Sequence, residues 1–485
     1  LLMAGAGLYS AIKLPIDAVP DMTNVQVQVV TDAGSLSPVE VERYVTYPVE
    51  TMMGGLPDVE ELRSVSKFGI SVVTIVFQEG TDIYRARQLV AERMPEAASN
   101  IPPGYGTPTV GPLTTALGEI LQFEVLSDTH SPMELRTLLE WDIAPRLREV
   151  PGVTEINTHG GYYKTYEVRP DPNRMTSYGI SMELLFQSLE NNNSTSGGGY
   201  VIHHGEQRFI RGVSLLETRE DIEAVVVRRE PNGTPILVRD IATVDIAPMT
   251  RQGAVTRDGR GEVVTGLVMM LIGENSRTVV TAAKERLAEI EATLPEGVQL
   301  DVTYDRAALI GRTLKTVLTN LTEGGLLVII VLLLMLGNLR AGILVALAIP
   351  LSMLFATNVM GMVGVTASLM SLGAIDFGLF VDSSVIMIEN CIRKLSHDNG
   401  DTPHEDIIRD AAVEVRKPTM FGELIIAVVF VPILLLEGTE GKLFRPMAMT
   451  VLFALGGSLV LSLSFMPAMA SIFLPKKMNE KEVLL

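Results

Sequence analysis

Cysteine is almost missing from this 485-residue chain; the single one, Cys391, excludes an internal disulfide and a thiolate metal cluster within one chain. Tryptophan also occurs once, histidine six times, and aromatics make up only 5% of the residues. Basic charge is short as well, with 39 Lys and Arg against 57 Asp and Glu for a net charge of −18, which disfavours nucleic acid as a partner. What the chain has instead is apolar mass. Its 47% hydrophobic content is too high for an ordinary water-soluble protein, yet 20% charged residues is too many for an all-membrane one.

The two characters separate along the sequence. Residues 13–316 read as water-soluble and 317–475 as five membrane spans: about 317–337, 341–363, 368–392, 420–436 and 447–474. Each is near the ~20 apolar residues that cross a bilayer. The apolar start, LLMAGAGLYSAI (1–12), is too short to span and lacks a basic leader, so it reads as a truncated first helix. Lys and Arg concentrate in the loops at 338–340 and 393–418 and in the tail at 476–485, which places those segments in the cytoplasm and the 13–316 region outside, in the periplasm of a Gram-negative cell. Residues 1–322 hold 28 Lys and Arg against 42 Asp and Glu, an acidic exterior compatible with cationic substrates.

One apolar run carries charges it should not tolerate. SLGAIDFGLFVDSSVIMIEN (371–390) contains Asp376, Asp382 and Glu389. An ionised side chain at the centre of a membrane helix costs ~3 kcal/mol even on insertion scales, so the three acids point to a proton or ion pathway. On a helix, Asp382 and Glu389 fall within ~20° of one face and ~10 Å apart, while Asp376 is ~9 Å from Asp382 and rotated by ~120°. That is a ladder with two faces, suited to proton hand-offs rather than to one ligand cluster. Glu323 and Glu423, each placed near the end of a span, read as ordinary interface carboxylates.

The 13–316 region alternates strand and helix signals. VQVQVV (26–31) and ISVVTIVF (70–77) are β-rich, and the Ser-Pro start of 37–53 opens a helix between them. A second helix follows at about 83–98. The order then recurs: strand 120–126, helix 131–150, strands at VTEINTHG and 162–168, and helix 182–190. Two βαββαβ-like units in tandem suggest a pair of ferredoxin-like subdomains, the second interrupted by a Gly-rich, strand-forming insertion at about 191–250. A last strand, helix and strand (VVTGLVMML, SRTVVTAAKERLAEIEATL, VQLDVTYD) would complete the second unit or close the first.

KLPIDAVPDMTNVQVQV (13–29), YPVETMMGGLPDVEELRSVSKFGIS (47–71), GTDIYRARQLVAERM (80–94) and IDFGLFVDSSVIMIEN (375–390) resemble the resistance-nodulation-division pumps. They are similar to the heavy-metal cation branch in particular, the cobalt–zinc–cadmium and copper–silver efflux subunits. The resemblance runs over essentially the whole chain and matches the N-terminal half of such a pump. It implies an α+β membrane protein: a transmembrane helix bundle plus a periplasmic porter domain of tandem ferredoxin-like subdomains with an inserted docking subdomain. It also implies a homotrimer in the bacterial inner membrane, a periplasmic membrane-fusion adaptor and an outer-membrane channel. Asp376, Asp382 and Glu389 coincide with the acids assigned to proton transport in the metal branch, whose basic partner lies in the other half. Asp376 favours the metal branch over the multidrug one, and Ser383–Ser384 departs from the small pair usual there.

The implied activity is efflux of divalent or monovalent metal cations driven by the proton motive force, with no catalytic residue and no permanently bound cofactor. The alternatives are a multidrug exporter of the same fold, or a non-transporting half-length remnant or scaffold. Metal ligands stay unassigned: His159, His203 and His204 follow no ligand spacing, and Met52–Met53 and Met269–Met270 read as core filling.

Overall fold

The computed structural model describes residues 2–13, 16–17, 20, 22–231, 233–251, 253–259, 261–336, 338–365, 367–368, 377–397 and 402–475. Its first sheet is built from β1 (Gln26–Asp32), β2 (Val59–Lys67), β3 (Ile70–Phe77) and β4 (Pro108–Val110), in the spatial order β2-β3-β1-β4 and antiparallel throughout. Val27 and Val29 alternate inward on β1 and meet Val45, Val49 and Val90 from two covering helices. The chain order is therefore strand, helix, strand, strand, helix, strand.

The second sheet repeats this plan. Strands β5 (Thr114–Ser127), β6 (Val153–His159), β7 (Glu262–Leu271) and β8 (Val298–Asp305) stand in the order β6-β7-β5-β8. Its first helix copies the first helix of the other unit. Ser37-Pro38 and Ser131-Pro132 both open a capping box, closed by Glu40 and Glu134. Both helices then pass through a π-wound turn, Glu42–Thr46 or Leu139–Ile143, and Pro48 or Pro145 follows at once. A proline cannot donate to the carbonyl four residues back, and the wider turn absorbs the missing bond.

Strand pairing corrects the expected bounds of the insertion. The segment expected at 162–168 in the second unit is Lys164–Pro170, which pairs antiparallel with Ala242–Pro248 instead of joining the second sheet. Helix Met182–Asn191 likewise packs Leu185 into a separate core with Val227, Ile236 and Val244. The inserted stretch thus takes in residues from 164 onward, not 191. Local alternation marks a strand but does not name its partner, which here lies more than 70 residues downstream. The last strand, helix and strand complete the second unit, with β7 and β8 flanking β5.

Below the sheets lies a helical bundle: α1 (Leu2–Lys13), α2 (Arg306–Leu336), α3 (Leu339–Val363), α4 (Phe377–His397), α5 (His404–Leu434), α6 (Gly438–Leu463) and α7 (Phe465–Phe473). Among the described residues, α2, α3, α5 and α6 are long and apolar enough to cross a membrane. α4 runs on to His397 rather than 392 and α6 starts at Gly438 rather than 447, and three further bounds differ from expectation. α2 starts at Arg306, directly after β8, so one rod joins the second sheet to the bundle. α5 starts at His404, 16 residues before the expected 420. The span expected over 447–474 breaks at Ser464, because the Pro467 ring would collide with the Leu463 carbonyl four residues back.

Candidate functional site

α3 packs against α1, α2, α4 and α6, and small residues let its neighbours approach. A Cβ on Gly7 of α1 would lie 2.4 Å from the Leu354 carbonyl oxygen, and one on Gly457 of α6 would lie 2.8 Å from the Phe355 ring. Close backbone approach of this kind replaces the hydrophobic drive that helices lack in lipid. At the end nearest the sheets, Lys442 of α6 donates to the Thr23 carbonyl at 2.9 Å and to Asn24 Oδ1 at 3.1 Å. The opposite end is marked by Asn338, His397 and His404.

The acids singled out from the sequence fall as follows. Asp376 lies outside the described residues. Asp382 and Glu389 share one exposed face of α4, while Val381, Ser383, Ser384, Ile388 and Cys391 turn into the core. At the far end of α4, Arg393 donates to Asn390 Oδ1 at 2.7 Å and Lys394 pairs with Glu414 of α5 at 2.7 Å. Asn390 in turn donates to the Ala411 carbonyl at 2.9 Å, so polar bonds clamp α4 to α5 there.

Glu423 corrects the expectation. It is not an interface carboxylate: it sits 6% exposed between α4 and α6. Its Oε1 accepts a short hydrogen bond from Ser383 and lies 3.3 Å from Ser458 Oγ, which donates to the Phe380 carbonyl at 2.6 Å. Glu423 Oε2 and Ser384 Oγ are buried with no hydrogen-bond partner among the described residues. The misreading came from the helix start. Counting a span from 420 puts Glu423 at its edge, whereas a helix from His404 places it 19 residues in, ~29 Å along the axis. Glu323, read the same way, is exposed beside a groove between α2 and helix Ser276–Glu291.

A cavity of about 390 Å³ opens among α4, α5, α6 and α7 at the end away from the sheets. Its lining includes the charged Glu405, Arg409 and Arg416 and the hydroxyl-bearing Ser383, Thr419 and Ser462. Outside the bundle, no group of three or more His, Cys, Asp or Glu that could hold a metal occurs among the described residues. His203 and His204 meet edge to face, with ring centroids 4.1 Å apart, at the tip of an exposed hairpin, and His159 lines a separate cavity with Arg136 and Arg251. Met53 and Met270 fill the two sheet cores.

Known proteins share this architecture. The AcrB/AcrD/AcrF family model matches residues 1–485. The chain is 46% identical over 498 residues to a cation efflux system protein CzcA of Alcaligenes sp. (strain CT14), covering 99% of this chain and 46% of that protein. It is 45% identical to the cobalt-zinc-cadmium resistance protein CzcA of Cupriavidus metallidurans, with the same coverage. A crystal structure of a heavy metal efflux pump matches with a TM-score of 0.86 and 34% identity over 96% of this chain and 46% of that one. The chain spans about half the length of the curated relatives it matches. It belongs to the AcrB/AcrD/AcrF family of resistance-nodulation-division membrane transporters, which are not enzymes.

Proposed function

We propose that this chain takes part in proton-driven efflux of heavy-metal cations, of the zinc–cobalt–cadmium or copper–silver class, across the bacterial inner membrane. The observation that carries this reading is the 45–46% identity over 99% of the chain to proteins named for cation efflux and cobalt-zinc-cadmium resistance. In this reading the two sheet units are tandem ferredoxin-like porter subdomains facing the periplasm, and the inserted stretch docks outer partners. The assembly is a homotrimer joined to a membrane-fusion adaptor and an outer-membrane channel. The transported metal is substrate, and the proton motive force supplies ~2.3 kcal/mol per charge per 100 mV.

Asp376, Asp382 and Glu389 serve as the proton relay. Protonation removes a charge from α4 and changes how that helix packs against α3 and α6. The continuous run from β8 into α2 offers the lever that carries such a shift to the second sheet. In a metal-sensitive bacterial strain, the full-length protein should confer growth on zinc, cobalt, cadmium, copper or silver. Asp382→Asn should abolish that resistance while expression and assembly persist. Unchanged resistance in that variant would refute the relay, and protection against dyes and detergents but not metals would favour a multidrug exporter.

A further inference from the structure

Glu423 is the buried acid of the bundle that the relay above does not use. Leaving a carboxylate ionised away from water costs several kcal/mol unless opposite charge or several donors compensate it. Opposite charge is missing: among the described residues no Lys, Arg or His forms an ion pair with Glu423. Its packing neighbours are α4, α6 and α7. α4 presents Asp382, with Glu389 two turns on and Arg393 and Lys394 beyond, engaged with Asn390 and Glu414. From Pro446 to the end of α7 neither α6 nor α7 carries a charged residue.

Donors are too few as well. A serine hydroxyl has one proton. Ser458 sits 2.6 Å from the Phe380 carbonyl, which has no proton of its own, so its hydroxyl proton is committed there. The 3.3 Å contact between Ser458 Oγ and Glu423 Oε1 then lacks a donor from the serine side. Among the described residues, only Ser383 is then left to donate to the carboxyl, and Oε2 has no partner. A neutral carboxylic acid suits this setting, because its own O–H can be the missing donor. The cavity lined by Ser383 and Thr419 reaches the hydrogen-bond partner of Glu423 from the end of the bundle away from the sheets.

We propose that Glu423 is a proton-carrying carboxyl of the bundle, loaded through this cavity by way of Ser383. The inference rests on the proton-driven reading above. In the step, the O–H bond at Glu423 breaks, the proton passes by way of the Ser383 hydroxyl to water in the cavity, which becomes hydronium, and Glu423 is left as the carboxylate. The buried anion is costly, so its lifetime is short and reprotonation from the cavity follows.

Infrared difference spectroscopy of the full-length protein in lipid nanodiscs, with pH steps and exchange into deuterated water, tests this without any metal. The carbonyl stretch of a protonated carboxylic acid should be present in the parent and in Asp382→Asn, and lost in Glu423→Gln. A spectrum unchanged by Glu423→Gln overturns the proposal. Glutamine keeps the shape and still accepts from Ser383, so a purely structural Glu423 predicts normal metal-driven proton uptake in that variant. A proton carrier predicts its loss with the thermal unfolding midpoint unchanged. Ala412→Phe, which fills the cavity, should leave the band in place and slow its deuterium shift; an unchanged exchange rate refutes the route. If Asp382→Asn keeps metal resistance while the Glu423 band is found, the relay reading fails and the proton site stands.

Discussion

The sheet units and the helical bundle each bury a glutamate, and they treat it in opposite ways. Glu124 on β5 is 7% exposed and meets Arg257 at 2.5 Å, and the same guanidinium reaches Asp301 at 2.6 Å. Hydrogen bonds to Asp301 and then Glu124 raise the Arg257 pKa still further above its usual value. Glu423 in the bundle is 6% exposed and meets two serines. A charge matched by a charge is held in one state, whereas a carboxyl among hydroxyls is left free to change its proton. The comparison separates two acids that burial alone does not distinguish.

The largest effect that sharpens the contrast concerns packing. Phe123 of β5 is fully buried and lies against Gly266 of β7, where an added Cβ would come 2.4 Å from the ring. Phe123→Ala should destabilise the sheet region by ~3–5 kcal/mol. Phe380 of α4 is equally buried, yet Phe380→Ala should cost less, because lipid is as apolar as the helix surface and only packing is lost. Separate unfolding transitions of the two regions, followed by denaturant titration in detergent, measure the difference. Equal costs would break the comparison.

Next in size is the charge-matched acid. Arg257→Ala leaves Glu124 buried without its base, at a cost of ~1–3 kcal/mol. Restored stability in Arg257→Ala with Glu124→Gln would show that the uncompensated charge, not lost packing, is responsible.

The smallest effect lies at the junction of the two regions. Asp305 ends β8 and accepts from the Ala308 N–H at 2.8 Å in the first turn of α2, while Lys284 donates to it at 2.8 Å. Burial pushes its pKa up, but the Lys284 bond and the helix N–H groups outweigh that and hold it below the usual aspartate value. Folded-state lowering means the stabilisation is complete above the ordinary aspartate range and is lost as pH falls through the lowered value. Asp305→Ala should cost ~1 kcal/mol at neutral pH. Asp305→Asn should keep part of the cap and flatten the acid limb of the unfolding-midpoint profile; a profile identical to the parent would remove Asp305 from the account.

Much of the sheet region was legible locally. Strand 70–77 and the helices at 38–53 and 83–99 stand within a residue or so of their expected bounds, since Ser-Pro starts, capping glutamates and β-branched runs act over a few residues. Helix 131–150 shortens slightly to 132–148. The partner of Lys164–Pro170 was not legible, because alternation at one strand carries no address for another. Neither was the start of α5. Its first turns, His404 to Lys417, are amphipathic and rich in charge, so hydropathy alone begins the span at the apolar stretch and misplaces Glu423.

By itself the sequence determined the division into an acidic α+β region and an apolar helical one, the tandem strand and helix order, and the presence of Asp382 and Glu389 on one face of a helix. These follow from composition and from fixed helical and strand periods. Which strands share a sheet, where the insertion begins, and that Glu423 is enclosed by Ser383 and Ser458 were decided only in the tertiary structure. Burial and hydrogen-bond satisfaction belong to the surroundings a side chain meets, and residues 40 and 35 positions away supply those surroundings for Glu423.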